Sequence, residues 1–276
     1  MKFNKFLLIK WRISNCNQLF ILKGAITMNE RLGETRLNKQ GTTMKIVRYG
    51  SFDDIDIEFI DEFHYIKEHQ TYSNFKSGGV KNPYDRTICG VGYIGVGEYK
   101  TGTDTKHTEE YQNWTCMIRR CYDEKLKERY SAYYGDCFVC EEWHNFQNFA
   151  KWWNENIYRV GAERMHLDKD ILFDGNRMYS PNTCVISPQR INMLFMKKPN
   201  KYNLPNGIKP SSKGRYESKY NGKYLGVFDS IEDAIMAHDM AKSEALIQIA
   251  NEYKDKIPNN LYEVLINWKP NYQKCA

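Results

Sequence analysis

Residues 207–242, GIKPSSKGRYESKYNGKYLGVFDSIEDAIMAHDMAK, read as three short strands followed by a helix. The first strand falls near residues 207–209. The second covers 215–220, where Tyr216, Ser218 and Tyr220 alternate with Arg215, Glu217 and Lys219, the period of a sheet with one wet face. Asn221-Gly222 is a strong hairpin signal, because both turn positions favour positive φ. The third strand, 223–228, ends at Asp229-Ser230. Ser230 then stands as an N-cap with Asp233 three residues on, close to a capping box. Ala234, Ala237, Ala241 and Ala245 are small enough to let the helix lie close on the sheet.

A basic ribbon on a helical backing is an architecture that reads a groove of DNA. The stretch resembles the plant ethylene-response-factor (APETALA-type) DNA-binding domain. Gly207, Gly214-Arg215-Tyr216, Gly222-Lys223, Leu225-Gly226-Val227-Phe228, Glu232-Asp233-Ala234 and Ala237-His238-Asp239 carry the resemblance. It implies a sheet in the major groove of double-stranded DNA. By position it nominates Lys209, Lys213, Arg215, Lys219 and Lys223 as contacts, with Tyr216 where the family usually has Trp. Charge points the same way: Lys197, Lys198, Lys201, Lys209, Lys213, Arg215, Lys219 and Lys223 face only Glu217 over that run. Clustered cations release counterions from phosphate and make binding steeply salt dependent.

Outside this stretch, 276 residues leave room for two or three small domains. An apolar content of 41% with 14% aromatics excludes global disorder, and a net charge of +6 matters mainly where it clusters. Eight cysteines without a secretory pattern suggest thiols in a reducing compartment. At the N-terminus, Lys10, Arg12 and Lys23 interrupt FLLI and LFIL, and no small-residue cleavage site follows. Neither a signal peptide nor a membrane span is expected. Lys23-Gly24-Ala25-Ile26-Thr27 back-translates to AAAGGAGC and a short A/T spacer, a bacterial-type ribosome-binding site ahead of Met28. The expectation is translation from Met28, with residues 1–27 upstream sequence.

Residues 28–98 read as a small β-rich, barrel-like module, with strands at 44–49 and 55–59 and breaks at Gly33, Gly41, Gly50 and Gly78-Gly79. Acidic residues dominate 53–62, a poor surface for DNA. GVGYIGVG, residues 90–97, lacks the strand and helix that a dinucleotide loop needs. In the middle domain, 107–198, Tyr111, Trp114, Ile118, Tyr122 and Leu126 stripe one helix. Trp143, Phe146, Ala150, Trp153 and Ile157 stripe another, both as core. Residues 199–206, with Pro199 and Pro205, read as a linker to the C-terminal domain, 207–268.

Within the middle domain run Met165-His166-Leu167-Asp168-Lys169-Asp170-Ile171, then Gly175-Asn176 and Ser180-Pro181-Asn182-Thr183-Cys184-Val185-Ile186, then Gln189-Arg190-Ile191-Asn192. This order resembles the His-Asn-His (HNH-like) nuclease fold, a ββα element closing over one metal. The resemblance implies His166 as general base, Asp168 and Asn192 as ligands of a divalent ion such as Mg²⁺, and Asn182 as a brace of the loop. Phosphodiester hydrolysis needs such a base and a hard cation to stabilise developing charge, and oxygen donors suit Mg²⁺. Asp168-Lys169-Asp170 admits a second alignment, in which Asp170 or Lys169 takes the functional place. Cys137-x-x-Cys140 has the spacing of a structural Zn²⁺ site. Cys116 and Cys121, the pair that would complete it, lie about 140° apart round a helix and do not converge.

The expected fold class is therefore α+β: a small β module, a central ββα element with aromatic-rich helices, and a three-stranded sheet plus helix. A nuclease-like core followed by a groove reader resembles free-standing phage homing endonucleases, which implies a site-specific DNA endonuclease in the cytoplasm of a bacterial host. The alternative is a DNA-binding regulator on a nuclease fold without activity.

Overall fold

A computed structural model describes residues 31–196 and 200–270. The expected start at Met28 and the basic pair Lys197 and Lys198 lie outside the described residues. The fold is α+β, and the chain divides into two compact units, Met1–Gly97 and Glu98–Ala276.

The first unit is an antiparallel meander of β1 (Thr35–Leu37), β2 (Thr43–Ser51), β3 (Asp54–Ile60) and β4 (Ile66–Gln70), followed by a short helix α1 (Tyr72–Lys76). Period-two alternation drives Met44 and Ile46 of β2 and Ile55, Ile57 and Phe59 of β3 to one face, where they are buried with Phe75 and Val80. Thr71 caps α1 by accepting from the Asn74 N–H. Among the described residues the strand order is linear and the expected barrel is not closed. Residues 90–97 form turns and bridges, and the next helix begins at Glu109.

The second unit opens with α2 (Glu109–Tyr122) and α3 (Phe146–Asn156), whose apolar stripes meet. Trp114, Met117 and Ile118 of α2 and Phe146, Phe149, Ala150 and Trp153 of α3 are buried. The Trp114 indole N–H donates to the Trp143 carbonyl at 2.7 Å, which satisfies the one polar group of a fully buried ring. Leu126, expected on the α2 stripe, lies beyond the end of that helix in a separate turn of 3₁₀ helix. Asp123 ends α2 in an extended conformation, and its side chain caps the new turn.

Strand β5 (Phe138–Val139) pairs in parallel with β7 (Met178–Tyr179), and β6 (Met165–Asp168) pairs antiparallel with β8 (Val185–Pro188). Helix α4 (Gln189–Phe195) follows β8 directly, giving a strand–loop–strand–helix order.

The last segment forms β9 (Ile208–Pro210), β10 (Tyr216–Tyr220) and β11 (Lys223–Phe228), in the order β11-β10-β9. Asn221 and Gly222 turn the hairpin with φ of 45° and 81°. Gly207 admits no side chain, since an added Cβ would stand 2.1 Å from the Lys219 carbonyl and 2.6 Å from the His238 ring. Helix α5 (Ile231–Glu252) starts where Ser230 accepts from the Asp233 N–H at 3.0 Å. Its first half, with Ala234 fully buried, backs the sheet.

The second half of α5 does something else. Leu246, Ile249 and Ala250 are buried with Leu261 and Leu265 of α6 (Asn259–Ile266), and in the same cluster are Ile171, Val185 and Ile191 of the ββα element. Residues 199–206 therefore do not separate two cores. A sheet of three strands, three to six residues each, covers only the start of a 22-residue helix. The apolar remainder is buried against the ββα element instead. Leu246→Ala is expected to cost about 2–5 kcal/mol. Hydrogen exchange should then show β8 and α5 losing protection together, whereas a loss confined to the sheet would contradict the shared core.

Candidate nucleic-acid interface and ββα site

On β10 the alternation sorts side chains to two faces. Ser218 is fully buried and the Tyr220 ring lies 5.3 Å from His238 of α5, so this parity faces the helix. Glu217 and Lys219 take the other face, with Lys209 of β9 directly opposite Glu217. Glu217 bridges both lysines, Oε2 at 3.1 Å from Lys209 Nζ and Oε1 at 3.0 Å from Lys219 Nζ. Lys219 and then Lys209 hold its carboxyl below the usual range. Lys213 is exposed in the turn before β10, with φ of 57°, and Lys223 is exposed at the hairpin end. Arg215 is half-buried. Tyr216 shares the parity of Ser218 and Tyr220, which sets it apart from the lysines with which the sequence grouped it.

In the ββα element, strand β6 presents His166 opposite Ser187 of β8. The His166 ring is half-buried, and its Nε2 has no hydrogen-bond partner. Burial, and then Arg164 beside it, lower its pKa against an opposing hydrogen bond to Gln189, so the imidazole is held neutral.

Asp168 is engaged by the backbone through one of its oxygens. Its Oδ1 accepts the backbone N–H groups of Asp170 and Ile171 at 2.7 and 2.8 Å, closing the turn that leaves β6. Burial pushes its pKa up in spite of those donors. Asp170 is held by Lys169, whose Nζ donates to both carboxylate oxygens at 2.7 and 2.8 Å and to the Asn176 carbonyl at 2.8 Å. Lys169 is only 5% exposed, and its ammonium lies 5.5 and 5.8 Å from the Tyr133 and Tyr179 rings. Burial opposes its charge, yet Asp170 more than offsets this and the pKa is raised.

Asn182 is exposed and does not brace the loop. Asn176 does, donating to the Lys169 and Met178 carbonyls, together with Thr183, whose hydroxyl donates to the Met178 carbonyl. Asn192 is half-buried on α4, which packs against β6. The burial of Lys169 was visible in the alternation Met165, Leu167, Lys169, Ile171, which places all four on one parity. Arg120, near Tyr179 and Tyr133, had no signal beyond its place on α2.

Cys137 and Cys140 flank β5, the first buried and the second half-buried, while Cys116 is exposed and Cys121 buried. Burial pushes the Cys121 thiol up to about 12 and raises those of Cys137 and Cys140, so all three are protonated at neutral pH. Among the described residues one group of carboxylate and imidazole side chains could hold a metal ion: Asp54, Asp56 and His69 in the first unit, with ligand atoms within 4.8 Å of one another. There Arg48 already lies across both carboxylates, at 2.8 Å from Asp54 and 2.5 Å from Asp56. No helix among the described residues is long and apolar enough to cross a membrane.

Comparison with known protein families, with curated proteins and with solved structures gives no match to this chain.

The His166 shift has a sign that can be checked. Its folded pKa is below the ordinary 6.5, so the unfolded chain binds the proton first and stability falls as pH drops through 6.5. His166→Gln should lose less stability between pH 7.5 and pH 5 than the wild-type chain does. Equal losses in urea titrations would place the titrating group elsewhere.

Proposed function

We propose that this protein binds double-stranded DNA through the sheet β9–β11. The observation that carries this reading is the sheet face with Lys209 and Lys219, flanked by exposed Lys213 and Lys223 at its turns, on a helix that backs the other face. A β-ribbon of this width fits the major groove of B-DNA and not the deep, narrow major groove of A-form RNA. Arg215 is the remaining cation of the set. Duplex DNA should shift in a gel, with affinity falling steeply with salt. Lys223→Ala should reduce the slope of log K against log[salt] by about 1, as one phosphate contact less requires. Equal affinity for duplex RNA, or binding indifferent to salt, would count against the sheet as a DNA reader.

A second reading, a site-specific DNA endonuclease of the homing type, is favoured by His166. A neutral imidazole on a strand has an unpartnered Nε2 able to accept a proton, but that atom is enclosed, so water reaches it only when the segment around it opens. A Mg²⁺ ion held by Asp168 and Asn192 would meet Asp168 through Oδ2 alone. One Asp168 oxygen closes a backbone turn, and Asp170 is neutralised by Lys169. His166 thus supplies base chemistry, and Lys169 and Asp170 keep the loop in shape. Incubation with supercoiled plasmid, with Mg²⁺ or with chelator, separates the two readings. Discrete new ends lost in His166→Ala, with the gel shift kept, would establish the nuclease. Plasmid left intact by a protein that still shifts it would leave a DNA-binding protein on a nuclease-like fold.

A further inference from the structure

An acid stands at the centre of the basic face. Glu217 is on β10, the middle strand, opposite Lys209 on one side and Val227 on the other, with Lys219 two residues along and Tyr224, 57% exposed, opposite Lys219. With Lys209, Lys219 and Asn206 it lines a recess of about 340 Å³ that Lys201 and Tyr202 also border. Held ionised by its two lysines, the carboxylate is an acceptor only; Oε1 is enclosed beside Lys219, so a further donor would have to meet Oε2.

A face that met phosphates alone would gain nothing from this group, which repels them. Base edges are another matter. In the major groove cytosine offers its N4 amino group as a donor, and guanine offers N7 and O6 as acceptors. The row Lys209, Glu217, Lys219 presents donor, acceptor, donor. Its complement is a cytosine amino group beside guanine acceptors.

We propose that Glu217 is a specificity-determining residue that selects a C·G pair in the duplex target, accepting from cytosine N4 while Lys209 and Lys219 meet adjoining guanines. This rests on the duplex-binding reading above.

The test is selection of duplexes from a random-sequence library by the full chain and by Glu217→Gln and Glu217→Ala, followed by titration of the selected duplex and each single-pair variant. The wild-type motif should contain a C·G pair whose change to T·A weakens binding about tenfold. Both variants should bind the T·A-changed duplex at least as tightly as the wild type does, and Glu217→Ala, which keeps no acceptor, should lose most of that discrimination at the one pair. Variants that bind more tightly yet discriminate as the wild type does would overturn the proposal and make Glu217 a clamp on its lysines. A wild-type chain that selects a motif with no C·G pair would also overturn it. A wild-type chain that selects no duplex at all would instead remove the duplex-binding reading, and this proposal with it.

Discussion

The second unit depends on the C-terminal half of α5 being buried twice over. Leu246, Ile249 and Ala250 lie in one apolar cluster with Ile171 and Val185 of the ββα strands and their exits, Ile191 of α4, and Leu261 and Leu265 of α6. Apolar burial is the main favourable term in folding, and here one helix supplies it to two sheets. Polar contacts close the same seam. Arg190 of α4 pairs with Glu252 at the end of α5, and the Tyr253 hydroxyl donates to Glu163 just ahead of β6. The basic sheet and the His166 strand are thus parts of one packed body. Whatever the sheet holds is presented to the ββα element at a set distance.

That body was only half legible in the sequence, and the reason is physical. The signals that were read correctly are local. Asn221-Gly222 can hardly be anything but a tight turn, and Ser230 with Asp233 three residues on marks a helix start whose cap bond is at 3.0 Å. Alternation from Tyr216 to Tyr220 reports a strand with two faces. Where a helix stops serving one sheet and begins serving another is not local. Residues 246–250 look the same whether their partners lie in β9–β11 or in β6 and β8. The prolines at 199–206 suggested a boundary, but the irregular backbone of 200–206 is compatible with continuous packing on either side of it.

The candidate site shows the same division more sharply. Residue types in the right order, His166, Asp168, Asn182 and Asn192, suggested a constellation, because spacing along a chain is all that an ordering can report. The roles were decided by neighbours. Asp168 faces two backbone N–H groups and so closes a turn. Asp170 faces a buried ammonium that would be very costly without it. Asn176 takes the bracing role because its amide reaches carbonyls at both ends of that loop.

Charge arrangement then separates the two halves of the unit by what each can offer a ligand. In the ββα element Asp168 Oδ1 closes a backbone turn and Asp170 is paired with Lys169, and beside them stands an uncharged, enclosed imidazole. On the sheet the balance is reversed: lysines outnumber the single carboxylate, their stems lie on a rigid surface, and Lys213 and Lys223 extend past its ends. Long-range attraction for a polyanion comes from the second surface and not from the first. A ligand drawn by that field arrives at the sheet, and the shared core holds His166 in a fixed relation to it. On the proposed DNA-binding reading, electrostatics therefore puts capture by the sheet first, and any chemistry at the imidazole would follow from where capture places the substrate.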